Sequence, residues 1–199
     1  MQNPSPLLNL FRIRGVVRPR DIKAHGLHRT ELAALLREGK LKKLGRGLYA
    51  LADRESTGET ALATIAIRYP DALFCLLTAL QIHGLTTQSP HQVWIAIDPK
   101  ARAPSLDYPP LRVVRFSGAA LTFGVTQCVV DGGVPIRVTT VAKTVADCFK
   151  YRNKIGLDVA LEALRDAWSS KKVTIDALME AAQVCRVSKV MRPYLDSIV

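Results

Sequence analysis

The residues best suited to do chemistry in this sequence are basic. Arg18, Arg20 and Lys23 stand close together, His28-Arg29-Thr30 follow, and Lys42, Lys43 and Arg46 close the series, Arg46 between two glycines in KLKKLGRGLYALAD. Arginine can grip a guanine edge with two hydrogen bonds, and lysine or arginine can neutralise a backbone phosphate. The charge is uneven. Residues 1 to 55 hold 12 Lys and Arg against 5 Asp and Glu, net +7, whereas the other 144 hold 16 against 12, net +4. These sum to the formal +11 of the whole chain. A basic excess concentrated in one segment points to a polyanion, most often nucleic acid, as partner.

The elements that must position these side chains can be read from turn and cap signals. LLNLFRI after Pro6 predicts a short helix ended by Gly15. VRPRDIKAHG predicts a second, with Pro19 near its start and Gly26 past its end. LHRTELAALLREGK predicts a third, with Leu32, Leu35 and Leu36 on one face and Gly39 as the stop. The apolar runs flanking Gly45-Arg46-Gly47 predict two strands and a tight turn that pushes Arg46 outward. Helix, short helix, turn, helix and hairpin make a winged helix-turn-helix. Its second helix enters the major groove with its N-terminal residues toward base edges. That assigns base contact to Arg29, with His28 and Thr30 on bases or phosphates. Arg18, Arg20 and Lys23 fall to the backbone, as do Lys42, Lys43 and Arg46 of the wing, whose tip can also enter the minor groove. The competing reading makes His28 a cap residue, Arg29 a solvated charge, and the wing lysines a guard against edge pairing.

Polar DRESTGE, residues 53 to 59, predicts a domain boundary, with domains at 1–55 and 60–199. ETALATIAIRYP and PDALFCLLTALQIHGL predict helices, the second with Asp71 at its N-terminus. HQVWIAID and LRVVRF predict strands, and QCVVDGGVPIRV a hairpin. From Thr139 the pattern is helical, with Pro193 expected to kink the last helix or delay its start. The fold class is therefore α+β, a winged helix-turn-helix followed by a mixed domain with a small β-sheet and several α-helices. A hydrophobic content of 48% can supply cores for both.

Enzyme signatures are sparse. Pro70-Asp71 with Asp98-Pro99-Lys100 fits the loose P-D…D-x-K spacing of metal-dependent nucleases, in which two carboxylates hold Mg²⁺ and the lysine polarises a phosphate. So short a pattern arises readily by chance, and Asp71 reads equally as a helix cap. The four cysteines form no Cys-x-x-Cys pair and read as buried free thiols in a reducing cytoplasm. MQNPSPLLNLFRIRG lacks the apolar stretch of a signal peptide, and no segment is long enough to span a membrane. The reading is of a cytoplasmic protein that is not an enzyme and has no metal or cofactor site.

The runs HGLHRTELAALLREGKLKKLGRGLYALAD, PDALFCLLTALQIHGL and VPIRVTTVAKTVADCFKYRNKIGLDVALEALRDAW, in this order, resemble the AbiEi-type antitoxins of bacterial abortive-infection toxin–antitoxin systems. The resemblance implies a repressor of its own operon that binds promoter repeats on double-stranded DNA, as a monomer or dimer. It implies DNA contact by Arg29, Thr30, Lys42, Lys43 and Arg46. It implies that residues 60–199 counter a nucleotidyltransferase-type toxin; antitoxins of such systems often act without a stable complex. The alternatives are a stand-alone regulator whose second domain senses a ligand or dimerises, and a nuclease targeted by its winged helix.

Overall fold

The computed structural model describes residues 5–198 apart from 46, 55, 56, 89 and 107. In chain order the elements are α1 (Pro6–Arg14), β1 (Val16–Val17), α2 (Pro19–Ala24), α3 (Arg29–Arg37), β2 (Leu41–Gly45), β3 (Leu48–Leu51) and α4 (Gly58–Arg68). There follow β4 (Leu73–Phe74), α5 (Leu76–His83), β5 (Val93–Ile97), β6 (Leu111–Arg115), α6 (Ala119–Thr122) and β7 (Val125–Val130). A 3₁₀ turn (Asp131–Gly133) leads into β8 (Val134–Thr139). Five helices complete the chain: α7 (Val141–Lys150), α8 (Arg152–Ile155), α9 (Leu157–Ser169), α10 (Ile175–Val184) and α11 (Ser188–Leu195). The chain divides into two compact units. One comprises the residues up to Pro70 with Val129–Ile136, and the other Asp71–Cys128 with the residues from Arg137 onward.

The first unit is a winged helix. Ser5 caps α1 by accepting from the Leu7 N–H at 3.2 Å and also donates to the Glu31 carboxylate of α3. Leu7, Leu10 and Phe11 of α1 meet Ile22 of α2, Leu32 and Leu35 of α3, and Leu41 of β2 in one apolar core. Asp21 closes the first turn of α2 by accepting from the Arg18 backbone N–H at 3.0 Å. That helix ends on Gly26, whose φ of +69° few other residues adopt cheaply. There the Gly26 N–H bonds Lys23 O and the Leu27 N–H bonds Ile22 O, which satisfies the last carbonyls and turns the chain into α3. The sheet order is β1-β3-β2, antiparallel throughout, with Val16 opposite Ala50 and Lys43 opposite Tyr49. The third strand, β1, had no signal in the sequence, because two valines are too short to show a period.

The second unit is built on a mixed five-stranded sheet of order β6-β5-β4-β8-β7, in which β4 runs antiparallel to β5 and parallel to β8, and β5 is parallel to β6. Its core joins Leu73, Trp94, Ala96 and Val114 of the sheet to α5, α7, α9, α10 and α11. The architecture is thus α+β, as expected. Two local readings are corrected. Asp71 does not open a helix: it lies in a turn before β4, and α5 begins at Leu76 with Cys75 as its cap. Buried Leu73 and Phe74 pair with Ala96 and Ile95, and those cross-strand bonds override helix propensity. Pro193 does not delay the start of the last helix, since α11 begins at Ser188 and runs through it. Buried Met191 and Leu195 hold α11 against the core.

Candidate nucleic-acid interface

Helix α3 buries Leu32 and Leu35, and this fixes what its other side presents. Arg29, Thr30, Ala33 and Arg37 are exposed. Residues 29, 33 and 37 stand four apart, so they form one row along the helix. His28 sits at the N-cap, exposed, and its side chain makes no cap hydrogen bond. It is therefore positioned as a cap residue without acting as one. Sequence reading stopped at the helix start and missed Ala33 and Arg37. The i+4 spacing from Arg29 was a signal that could have found them.

The other basic residues divide into two groups. Arg20, Lys23 and Lys43 are exposed. The Arg20 side chain is 72% exposed and reaches Asp21 only at 4.0 Å. Arg18 and Lys42 are instead spent on the fold. Arg18 donates from Nε and Nη2 to both oxygens of Asp21, at 2.8 and 3.1 Å. Burial pushes the Asp21 carboxyl up, but the Arg18 hydrogen bonds and the charges of Arg18 and Arg14 outweigh it and hold the group below its usual range. Lys42 Nζ donates to the backbone carbonyls of Ala52 and Arg54, at 3.3 and 2.5 Å. Arg46 lies outside the described residues. The strands that flank it are paired, Gly45 opposite Leu48, with an irregularity between Lys43 and Gly45.

A further cluster lies behind the wing. Arg54 Nη2 donates to both oxygens of Asp131 at 2.7 Å, and Thr60 Oγ1 donates to Asp131 Oδ2 at 2.9 Å. The Asp131 side chain is only 8% exposed. A partner 77 residues distant left no sequence signal beyond a hairpin prediction at Asp-Gly-Gly.

The nuclease spacing lies at the open end of the β4–β5 pair, whose register sets Leu73 opposite Ala96. Asp71 and Asp98 are both exposed, and Asp98 Oδ1 accepts from the Lys100 backbone N–H at 2.8 Å, a local turn bond. Among the described residues, no group of three or more His, Cys, Asp or Glu side chains could hold a metal ion. No described helix is long and apolar enough to cross a membrane.

An open groove of about 670 Å³ in the second unit is lined by His83, Phe123, Thr140, Lys171, Lys172 and Glu180, among others. His83 Nε2 lies 2.6 Å from Thr139 O, and Lys172 Nζ donates to His83 O at 2.6 Å. His83 is thus held on the backbone.

Comparison with known proteins bears on the basic unit first. Residues 5–52 match the family described as a transcriptional regulator, AbiEi antitoxin. The similarity to that family thus covers the winged helix alone. The matched segment runs from the cap of α1 through the last strand of the wing, so it holds the whole candidate interface. The fold is also similar to that of the Rv2827c protein from Mycobacterium tuberculosis, whose crystal structure superposes with a TM-score of 0.59 at 15% identity. That similarity covers 96% of this chain and 79% of the other, and it shows a shared fold across both units. No curated protein matches the chain.

Proposed function

We propose that this protein is an antitoxin and transcriptional autorepressor. The first unit binds repeats in the promoter of its own operon, and the second counters a nucleotidyltransferase-type toxin. The observation that carries this reading is the open row Arg29-Ala33-Arg37 on the helix of an AbiEi-type winged helix, flanked by Thr30 and His28. In the major groove, Arg29 donates bidentately to guanine O6 and N7, and the Ala33 methyl suits a thymine methyl. Arg37, about 12 Å further along the helix axis at 1.5 Å per residue, reaches phosphate. Arg20, Lys23, Lys43 and Arg46 add backbone contacts that set register and affinity without reading sequence. The protein acts by binding rather than catalysis, without metal or cofactor, in the cytoplasm.

The test is growth rescue with a DNA-binding measurement beside it. The neighbouring gene is expressed alone, with the full chain, and with full chains altered in the second unit. Toxicity relieved by the full chain, together with saturable binding of the chain to its upstream DNA, is the expected result. A harmless neighbouring gene, or toxicity left unrelieved, overturns the antitoxin role. DNA binding that persists would then favour a stand-alone regulator. One observation supports that second reading: the groove beside His83, Lys171 and Lys172 is large enough for a small ligand.

A further inference from the structure

We infer that Asp131 is a positioning residue of the DNA interface: a carboxylate encoded far beyond the winged helix sets the wing through Arg54. The role in DNA binding rests on the function proposed above; the effect on the wing does not.

The chain of contacts is continuous. Asp131 takes two hydrogen bonds from Arg54 Nη2 and one from Thr60 Oγ1. Thr60 is itself fixed, because Thr57 Oγ1 accepts its N–H at 3.2 Å and lies 3.0 Å from its hydroxyl. Arg54 follows β3 closely, its N–H bonding Leu51 O at 3.3 Å. Its carbonyl accepts from Lys42 of β2 at 2.5 Å. One residue therefore ties the two wing strands together at their base, and among the described residues its guanidinium is anchored by Asp131. Gly15 backs the pair: a Cβ built there would strike Asp131 Oδ1 and lie 2.6 Å from Arg54 Cζ. The turn 131–133 packs on α1, α4 and β1.

A charge-assisted pair this poorly exposed holds its partners far better than a surface one. Without Asp131, Arg54 keeps a half-buried charge with no counter-ion among the described residues, and it relaxes toward water, carrying the Lys42 acceptor with it. Lys43 lies next to Lys42 on β2, so its direction changes too. In sequence Asp131 stands between β7, which ends at Val130, and β8, which begins at Val134.

The experiment compares wild type, Asp131→Asn and Thr60→Val in the full chain by amide hydrogen exchange, with binding to upstream duplex DNA measured in parallel. Asp131→Asn is expected to speed exchange across residues 41–51 by about tenfold, the scale of one lost hydrogen bond to a charged group, while α3 stays protected. Thr60→Val, which removes one of the three hydrogen bonds to Asp131 together with the hydroxyl contact to Thr57, moves the same amides less. In DNA binding, Asp131→Asn weakens affinity and blunts the further loss from Lys43→Ala, because both act through the wing. Unchanged exchange at 41–51 overturns the inference. So does faster exchange spread equally over α1, α3 and the wing, which would mark a general stability role, and so do additive losses with Lys43→Ala. Failure of the wild type to bind DNA would remove the proposed function, and the exchange data would still decide the role of Asp131.

Discussion

The exposed face of the first unit and the core of the second handle charge in opposite ways. The first keeps Arg20, Lys23, Arg29, Arg37 and Lys43 in water, on a helix and wing whose apolar sides are packed. The second buries a complete ion pair on α7: Lys143 Nζ lies 2.5 Å from both oxygens of Asp147, with side chains 0% and 3% exposed. Cys185 Sγ donates to the same carboxylate at 3.3 Å, and the Lys143 ammonium sits 4.4 Å from the Phe116 ring centroid. Burial pushes the Asp147 carboxyl up despite Lys143, and it pushes the Cys185 thiol to about 12. Such thiols are unreactive near neutral pH, so Cys75, Cys148 and Cys185 belong to the fold, whereas Cys128 on β7 is only partly buried, against the sequence expectation. Exposed charge is available to a partner, whereas buried charge selects one packing.

The largest effect tests the buried side. Lys143→Met leaves Asp147 without its cation and should cost about 3–5 kcal/mol in urea unfolding, whereas Lys143→Met with Asp147→Leu should recover most of that. Lys43→Ala on the exposed side should change stability by no more than about 0.5 kcal/mol. If the two lysines prove equally costly, the contrast between the units fails.

Next is Gly15→Ala, which combines a φ of +67° with contact against Asp131 and Arg54. A loss of about 1–3 kcal/mol is expected from the strained backbone, read as a lower unfolding midpoint. Arg29→Ala should remove about 1–3 kcal/mol of specific DNA binding without changing that midpoint, and unchanged affinity for the operator would remove the guanine contact. Lys43→Ala and Arg46→Ala should each flatten the dependence of log affinity on log salt by about one unit. Lys42→Ala should instead act on the stability of the wing, because its ammonium is held by Ala52 and Arg54. A salt slope lowered equally by Lys42→Ala would merge the two lysines again.

The smallest effect is a pH dependence. The Asp21 carboxyl is held below its ordinary 3.8 in the folded chain, so its contribution is complete above that value and lost as pH falls through the folded pKa. Asp21→Asn should cost about 1 kcal/mol at neutral pH, the scale of a helix cap, and should reduce the loss of stability of the first unit on acidification. An acid profile identical to wild type would show that Asp21 does not report on this unit.

What the sequence by itself determined is local. Pro19, Gly26, Leu32, Leu35 and Gly39 announced the helices and stops of the winged helix, because caps and 3.6-residue spacing are encoded within a few neighbours. The charge asymmetry marked the same segment, and so did the family resemblance. Tertiary structure decided the rest, because it depends on residues far apart in sequence. Pairing with β5 turned Leu73-Phe74 into a strand where the local pattern suggested a helix. Asp21 and the base of the wing removed Arg18 and Lys42 from the free basic face, although in sequence they looked the same as Arg20 and Lys43. Asp131 joined the first unit from 77 residues past Arg54, a separation over which no period or cap signal reaches.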